Sequence, residues 1–234
     1  MFHPAGHPLE RGWVGRIDGD RVVQLAAQTL QSFFTGGGTA REHAEYPLAD
    51  VRLLAPVLHP PSIRVFDAQD VFAFANPAAI VGPEATVAPP PAARAPSNSL
   101  VLGGLCVLPR VAAVVGSNGG IGGLTVFAEW RARGLAPPKD RDFALGLGPV
   151  VVTTGEFDPN GLRAVVSVGG RKTPAAPFPG FDWAAARDFA AAGTTLRAGD
   201  LLAGPSPGEI EVAAGSDVGI EIAGIGDLEQ RTAG

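Results

Sequence analysis

Short runs of valine, leucine and isoleucine, each broken by glycine or proline, recur along the whole chain. Such runs bounded by turn residues are the signature of strands. The segment "GWVGRIDGDRVVQL" predicts two strands joined at Asp18-Gly19-Asp20, where glycine supplies the positive φ of a tight hairpin. "QLAAQTLQSFF" predicts a helix stopped by Gly36-Gly37-Gly38. "YPLADVRLLAPVLHPPS" reads as an extended connector, because residues before prolines are pushed out of the helical region.

Beyond it, "SIRVFDA" and "DVFAFANPAAIVGPE" predict short strands with a turn at Gly82-Pro83, followed by a Pro/Ala loop, "ATVAPPPAARAPSNS". "LVLGGLCVLPRVAAVVG" gives one or two buried strands, "SNGGIGG" a turn and "LTVFAEW" another strand. "FALGLGPVVVTTGEF" and "GLRAVVSVGGRK" are strands separated by a turn at Asp158-Pro159-Asn160-Gly161. "DWAAARDFAAAG" is the clearest helix, with Asp182 as N-cap and Gly193 as stop. The alternating end, "VGIEIAGIGDLEQ", predicts a half-buried strand pair. The fold class is therefore a β-rich α+β protein, with a boundary near Pro60 separating residues 1–60 from 61–234.

Composition narrows the partners. A net charge of -5 and 18% charged residues leave no basic stripe for a phosphate backbone, which excludes nucleic acid as the expected ligand. No apolar run reaches the length of a membrane span, and the N-terminus lacks a signal core. With Cys106 as the single cysteine, no internal disulfide is expected and the cytoplasm is the expected compartment. The bland reading of Cys106 is a buried structural thiol.

Familiar catalytic motifs fail. "TGGGTA" and "SNGGIGGL" lack the endings of phosphate-binding loops and read as turns. His3, His7, His43 and His59 form no helical metal pair, and His3 and His7 read as a flexible terminus. Ser206 lacks a nucleophile elbow.

The order of phrases carries more. "PPSIRVFDA", "FAFANPAAIVGPEATV", "RVAAVVG", "GGLTVFAEWRARG", "KDRDFALGLGPVVVTTGEFDP", "GLRAVVSVGG", "LRAGDLLAGPSPG" and "VGIEIAGIGDLEQR" together resemble the fumarylacetoacetate hydrolase family. The resemblance implies a roll of mixed β-sheets behind a small αβ domain, and a homodimer. It further implies a carboxylate-held Mg²⁺, Mn²⁺ or Ca²⁺ that chelates a keto- or enol-acid substrate, since hard cations take oxygen ligands.

Carried over residue by residue, that site is depleted. The family's first ligand aspartate falls at Val65, with Asp67 displaced beside it. The glutamate-x-glutamate pair falls at Leu108 and Arg110, with Pro109 between. Of the last ligand phrase only Glu129 remains a carboxylate, one carbon longer than the family's aspartate. The catalytic histidine expected after "VFDA" has no counterpart, so a general base is missing. Arg133 matches the substrate-binding arginine, the family's catalytic lysine falls at Arg141 or at Lys139, and the substrate-contacting loop reads Gly204-Pro205-Ser206-Pro207.

These positions predict no resident metal. Two dispositions are open for Arg110: in the metal's place, paired with Glu129, or pointing to solvent over a collapsed pocket. Two functions follow. One is a non-catalytic binding, scaffold or regulatory subunit. The other is an atypical enzyme acting on a keto- or enol-acid through a cluster of Arg110, Arg133 and Arg141, with Ser206 at the substrate. A slipped alignment would instead rebuild a metal site from Asp67, Asp70, Glu129 and Asp142.

Overall fold

A computed structural model of the chain describes residues 1–90, 104–153 and 161–234. The chain opens with β1 (Phe2–Pro4), the hairpin β2 (Gly15–Asp18) and β3 (Arg21–Leu25), α1 (Leu30–Thr35), β4 (Glu42–Pro47) and β5 (Val51–Leu53). There follow β6 (Ile63–Ala68), β7 (Val71–Ala75), β8 (Ile80–Val81), β9 (Thr86–Val87), β10 (Leu105–Val115), β11 (Ile121–Ala132), β12 (Leu145–Leu147) and β13 (Val152–Thr153). The last part runs β14 (Arg163–Val168), β15 (Arg171–Pro177), α2 (Trp183–Ala191), β16 (Leu201–Ala203), β17 (Ile210–Val212), β18 (Asp217–Ile222) and β19 (Gly226–Thr232).

The β-rich α+β class holds. A nine-stranded sheet runs β7-β6-β16-β10-β11-β12-β8, with β17 also on β10 and β13 also on β11. It is mixed, because β6 is parallel to β16 and β8 to β12 while the other pairs are antiparallel. A second sheet, β15-β14-β18-β19-β9, covers one of its faces together with α2. Alternation along β10 and β11 sorts their side chains between two cores. Val107, Val111, Ala113, Ala128 and Trp130 meet the second sheet and α2. Ala112, Val114 and Phe127 face the opposite side, where Phe34 of α1, Val65 and Leu145 pack.

The small N-terminal domain shows where periodicity misled. The helix predicted from Gln24 begins only at Leu30: Gln24 and Leu25 instead end β3, paired with Gly15 and Glu42 in the β2-β3-β4 sheet. Thr29 sets the true start through a capping box, accepting from the Ser32 amide at 3.1 Å while its own amide donates to Ser32 Oγ at 2.9 Å. The supposed connector supplies the end of β4 and the whole of β5. β5 pairs with β1, so His3 is 6% exposed in a strand instead of lying in a flexible terminus. Elsewhere, residues Leu105 to Val115 form one strand, Gly19 turns its hairpin at φ 60°, and Asp182 caps α2 by accepting from the amides of Ala184 and Ala185. Most of the Pro/Ala loop and the turn at residues 158–160 lie outside the described residues, and β9 occupies the loop's beginning.

Candidate functional site

The site forms where the nine-stranded sheet opens along one edge of β10. On that edge β17 pairs with Leu105–Val107 and β16 pairs with Ala112–Val114, leaving residues 108–111 between them. The Gly204 amide donates to the Val111 carbonyl, and the Val115 amide to Asp200, so odd-numbered β10 residues aim their backbone at this edge. Pro109, which has no amide hydrogen, therefore sits where a donor would meet a gap and no strand partner.

Side chains of even number in β10 and odd number in β11 share the face opposite Trp130. In register Leu108 lies across from Glu129, and Arg110 across from Phe127. Arg110 turns into the gap and is 1% exposed. Its Nε donates to Glu129 Oε2 at 2.7 Å, and Nη2 lies 2.7 Å from the same carboxylate. Nη1 donates to the carbonyls of Phe66 (2.8 Å) and Gly204 (2.9 Å), and Nη2 to Asp67 Oδ1 (3.0 Å). All three nitrogens thus have acceptors, the condition for holding a charge out of water. Asp67 is carried by the irregularity in register between Phe66 and Ala68 on β6, which re-aims the strand there.

Glu129, also 1% exposed, spends its second oxygen on Arg131, at 2.8 Å, with Arg141 Nη1 at 3.9 Å. Arg141 pairs with Asp140 at 3.1 Å, and that hydrogen-bonded carboxylate raises the Arg141 pKa. Three guanidiniums thus face three carboxylates, Glu129, Asp67 and Asp140, and the cluster is neutral. The space left beside it, lined by Val65, Asp67, Phe74, Glu129, Arg141 and Leu145, is about 10 Å³.

A hard divalent cation does not fit these residues. Val65 and Leu108 offer no oxygen, Arg110 offers positive charge, and both Glu129 oxygens are engaged by guanidiniums. At 4 Å and an effective dielectric near 20, a guanidinium repels a dication by about 8 kcal/mol. The slipped alternative fails as well. Asp142 pairs with Lys139, Asp67 with Arg110, and among the described residues no three His, Cys, Asp or Glu side chains gather for a metal.

Of the other site residues read from the sequence, Arg110, Arg141 and Glu129 come together, whereas Arg133 does not join them. It pairs with Glu209 and Glu211 beside β17, and both contacts raise its pKa. Lys139 is exposed, and Ser206 Oγ is spent within its own turn, on Gly208. Arg131 was missed, although a signal existed: residues two apart on a strand share a face, so Glu129 and Arg131 were bound to meet.

Cys106 is fully buried, donates weakly to Glu209 at 3.5 Å, and is pushed up to about 11 by burial first and by the Glu209 charge second. A raised pKa keeps it a neutral thiol at pH 8. Iodoacetamide at that pH is expected to modify less than about a tenth of the native protein in an hour, and nearly all of it in denaturant, as read by mass spectrometry.

A mixed β-roll covered by a second sheet and α2, behind a small N-terminal domain, is the architecture that the fumarylacetoacetate hydrolase resemblance implied. The chain belongs to the fumarylacetoacetate hydrolase family, whose C-terminal domain model matches residues 59–233. A second model, described as Rv2993c-like, N-terminal, matches residues 12–56.

Among solved structures, maleylpyruvate hydrolase from Sphingobium sp. SYK-6 is similar with a TM-score of 0.79 and 20% identity, over 96% of this chain and 97% of that one. The same enzyme in complex with manganese(II) and pyruvate gives 0.74 and 19%, over 96% and 97%. 2-Hydroxyhepta-2,4-diene-1,7-dioate isomerase from Mycobacterium marinum gives 0.72 and 25%, over 94% and 92%. No curated protein matches the chain.

Proposed function

We propose that this chain is a family member in which metal-dependent chemistry has been replaced by an internal ion-pair cluster, and that it serves as a non-catalytic binding, scaffold or regulatory subunit, paired with a second copy or with an active relative. The observation carrying this reading is the Arg110 guanidinium, buried and fully satisfied between Glu129, Asp67 and two carbonyls. A related hydrolase is known with manganese and pyruvate. In this chain the ion-pair cluster is neutral and leaves about 10 Å³ of space beside it, too little for a keto acid.

The test is calorimetric titration of chelator-treated protein with Mn²⁺, with and without oxalate as an enol-acid mimic, beside an acylpyruvate hydrolysis assay. The expected outcome is no stoichiometric metal binding and no turnover. Metal binding with turnover would overturn the reading. Oxalate binding without metal would instead favour a metal-free keto-acid site served by Arg131 and Arg141, which are 23% and 27% exposed at the side chain.

A further inference from the structure

A cavity of about 690 Å³ lies away from the ion-pair cluster, between the N-terminal domain and the β12–β13 connection. Its floor is Phe2, Val14, Val22, Leu25 and Phe34, each no more than 8% exposed. Val150 and Val152 close the far wall, and Ile17, Arg16 and Thr39 stand at the rim.

Two glycines keep the space open. The Phe34 ring is seated on the bare backbone of Gly122, where a Cβ would come within 2.7 Å of it. The Phe2 ring is seated on Gly15 in the same way, at 2.6 Å. Both aromatic side chains are therefore drawn sideways onto main chain, and the lumen between them remains unfilled.

We propose that this cavity is a binding site for a small uncharged apolar molecule, of aromatic or medium-chain aliphatic class. Its size falls in the range of small-molecule pockets, about 300–1,000 Å³. Its apolar floor is too recessed for another protein's surface to reach, since Ile17, at 39%, is the one large apolar side chain of the lining that is well exposed. The ligand is uncharged because Arg16, the only charged side chain of the described lining, is already paired with Glu42 at 2.8 Å and Asp18 at 3.9 Å, and burial lowers the Met1 amine to about 6, leaving it largely neutral at pH 7. Release of water from the apolar floor drives binding. The site is independent of the proposed loss of metal chemistry and can stand or fall without it.

The probe is N-phenyl-1-naphthylamine, which is uncharged and brightens in apolar surroundings. Saturable binding at one site per chain is expected, with decanol displacing it at roughly tenfold lower concentration than decanoate. Trp13 packs on Phe2 with ring centroids 5.9 Å apart, so Trp13→Phe should lower tryptophan-to-probe energy transfer while leaving the affinity unchanged. Ala40→Trp and Leu53→Trp, which add bulk from two walls, should each weaken binding by roughly tenfold or more in protein that melts cooperatively. Absence of saturable binding to the unaltered protein would overturn the proposal. So would energy transfer indifferent to Trp13→Phe, or affinity unchanged in the folded wall variants. Equal displacement by decanoate would overturn the assignment to an uncharged ligand.

Discussion

Glu129→Gln is expected to lower the unfolding free energy by about 3–5 kcal/mol, because it leaves a buried guanidinium without its main counter-charge. Arg110 would keep Asp67, but that carboxylate is 59% exposed and therefore well screened, so it compensates little. Arg131 and Arg141 would also lose the anion they share, and three like charges would face one another across a neutral amide. The paired replacement Arg110→Met with Glu129→Leu is expected to be far milder, since removing both charges also removes both desolvation costs. Urea denaturation of Arg110→Met, Glu129→Leu and their double variant, with Glu129→Gln alongside, measures the coupling directly. A Glu129→Gln protein as stable as the parent would mean that the cluster is held by packing alone.

The second large effect is a gain of metal binding. Leu108→Glu with Arg110→Glu places two carboxylates on the face that already carries Glu129, one of them directly across the strand pair from it. Without a cation these groups repel at close range, by about 4 kcal/mol per pair at 4 Å. The double variant should therefore melt well below the parent. Mn²⁺ should recover much of the loss, since a ligand that binds only the folded state stabilises it by about 2.7 kcal/mol at a hundred times its Kd. The melting temperature of the parent should not respond to Mn²⁺. A variant that Mn²⁺ leaves unmoved would show that Arg131 and Arg141 still dominate the potential at the site.

Much of this arrangement was legible in the residues. Unbroken β-branched sequence from Val111 to Val115 announced a buried strand, and the order of phrases announced the roll. The resemblance puts Val65, Leu108 and Arg110 at the positions of three family carboxylates. The choice between a buried and a solvent-facing Arg110 could not be read from the residues, because it depends on where β16 ends. Only the strand order shows that β16 stops at Ala203 and leaves the Phe66 and Gly204 carbonyls free to receive a guanidinium. Arg133 was misplaced for a related reason: its partners, Glu209 and Glu211, stand more than seventy positions later in the chain, and sequence spacing carries no information about that pairing. The early helix was overextended because Gln24 and Leu25 fit the end of a strand and the start of a helix alike, and the neighbouring strands decide between them.

A guanidinium tied to β10 differs from a metal ion in one respect that reaches beyond the site. An ion exchanges with its surroundings, so a fold that leans on it varies in strength with supply. Arg110 is supplied with the polypeptide itself, one for each copy, at an effective concentration set by its short tether and not by solution composition. Charge balance around Arg110 is thereby met by groups of the chain itself, and is complete as soon as β6, β10, β11 and β16 have come together.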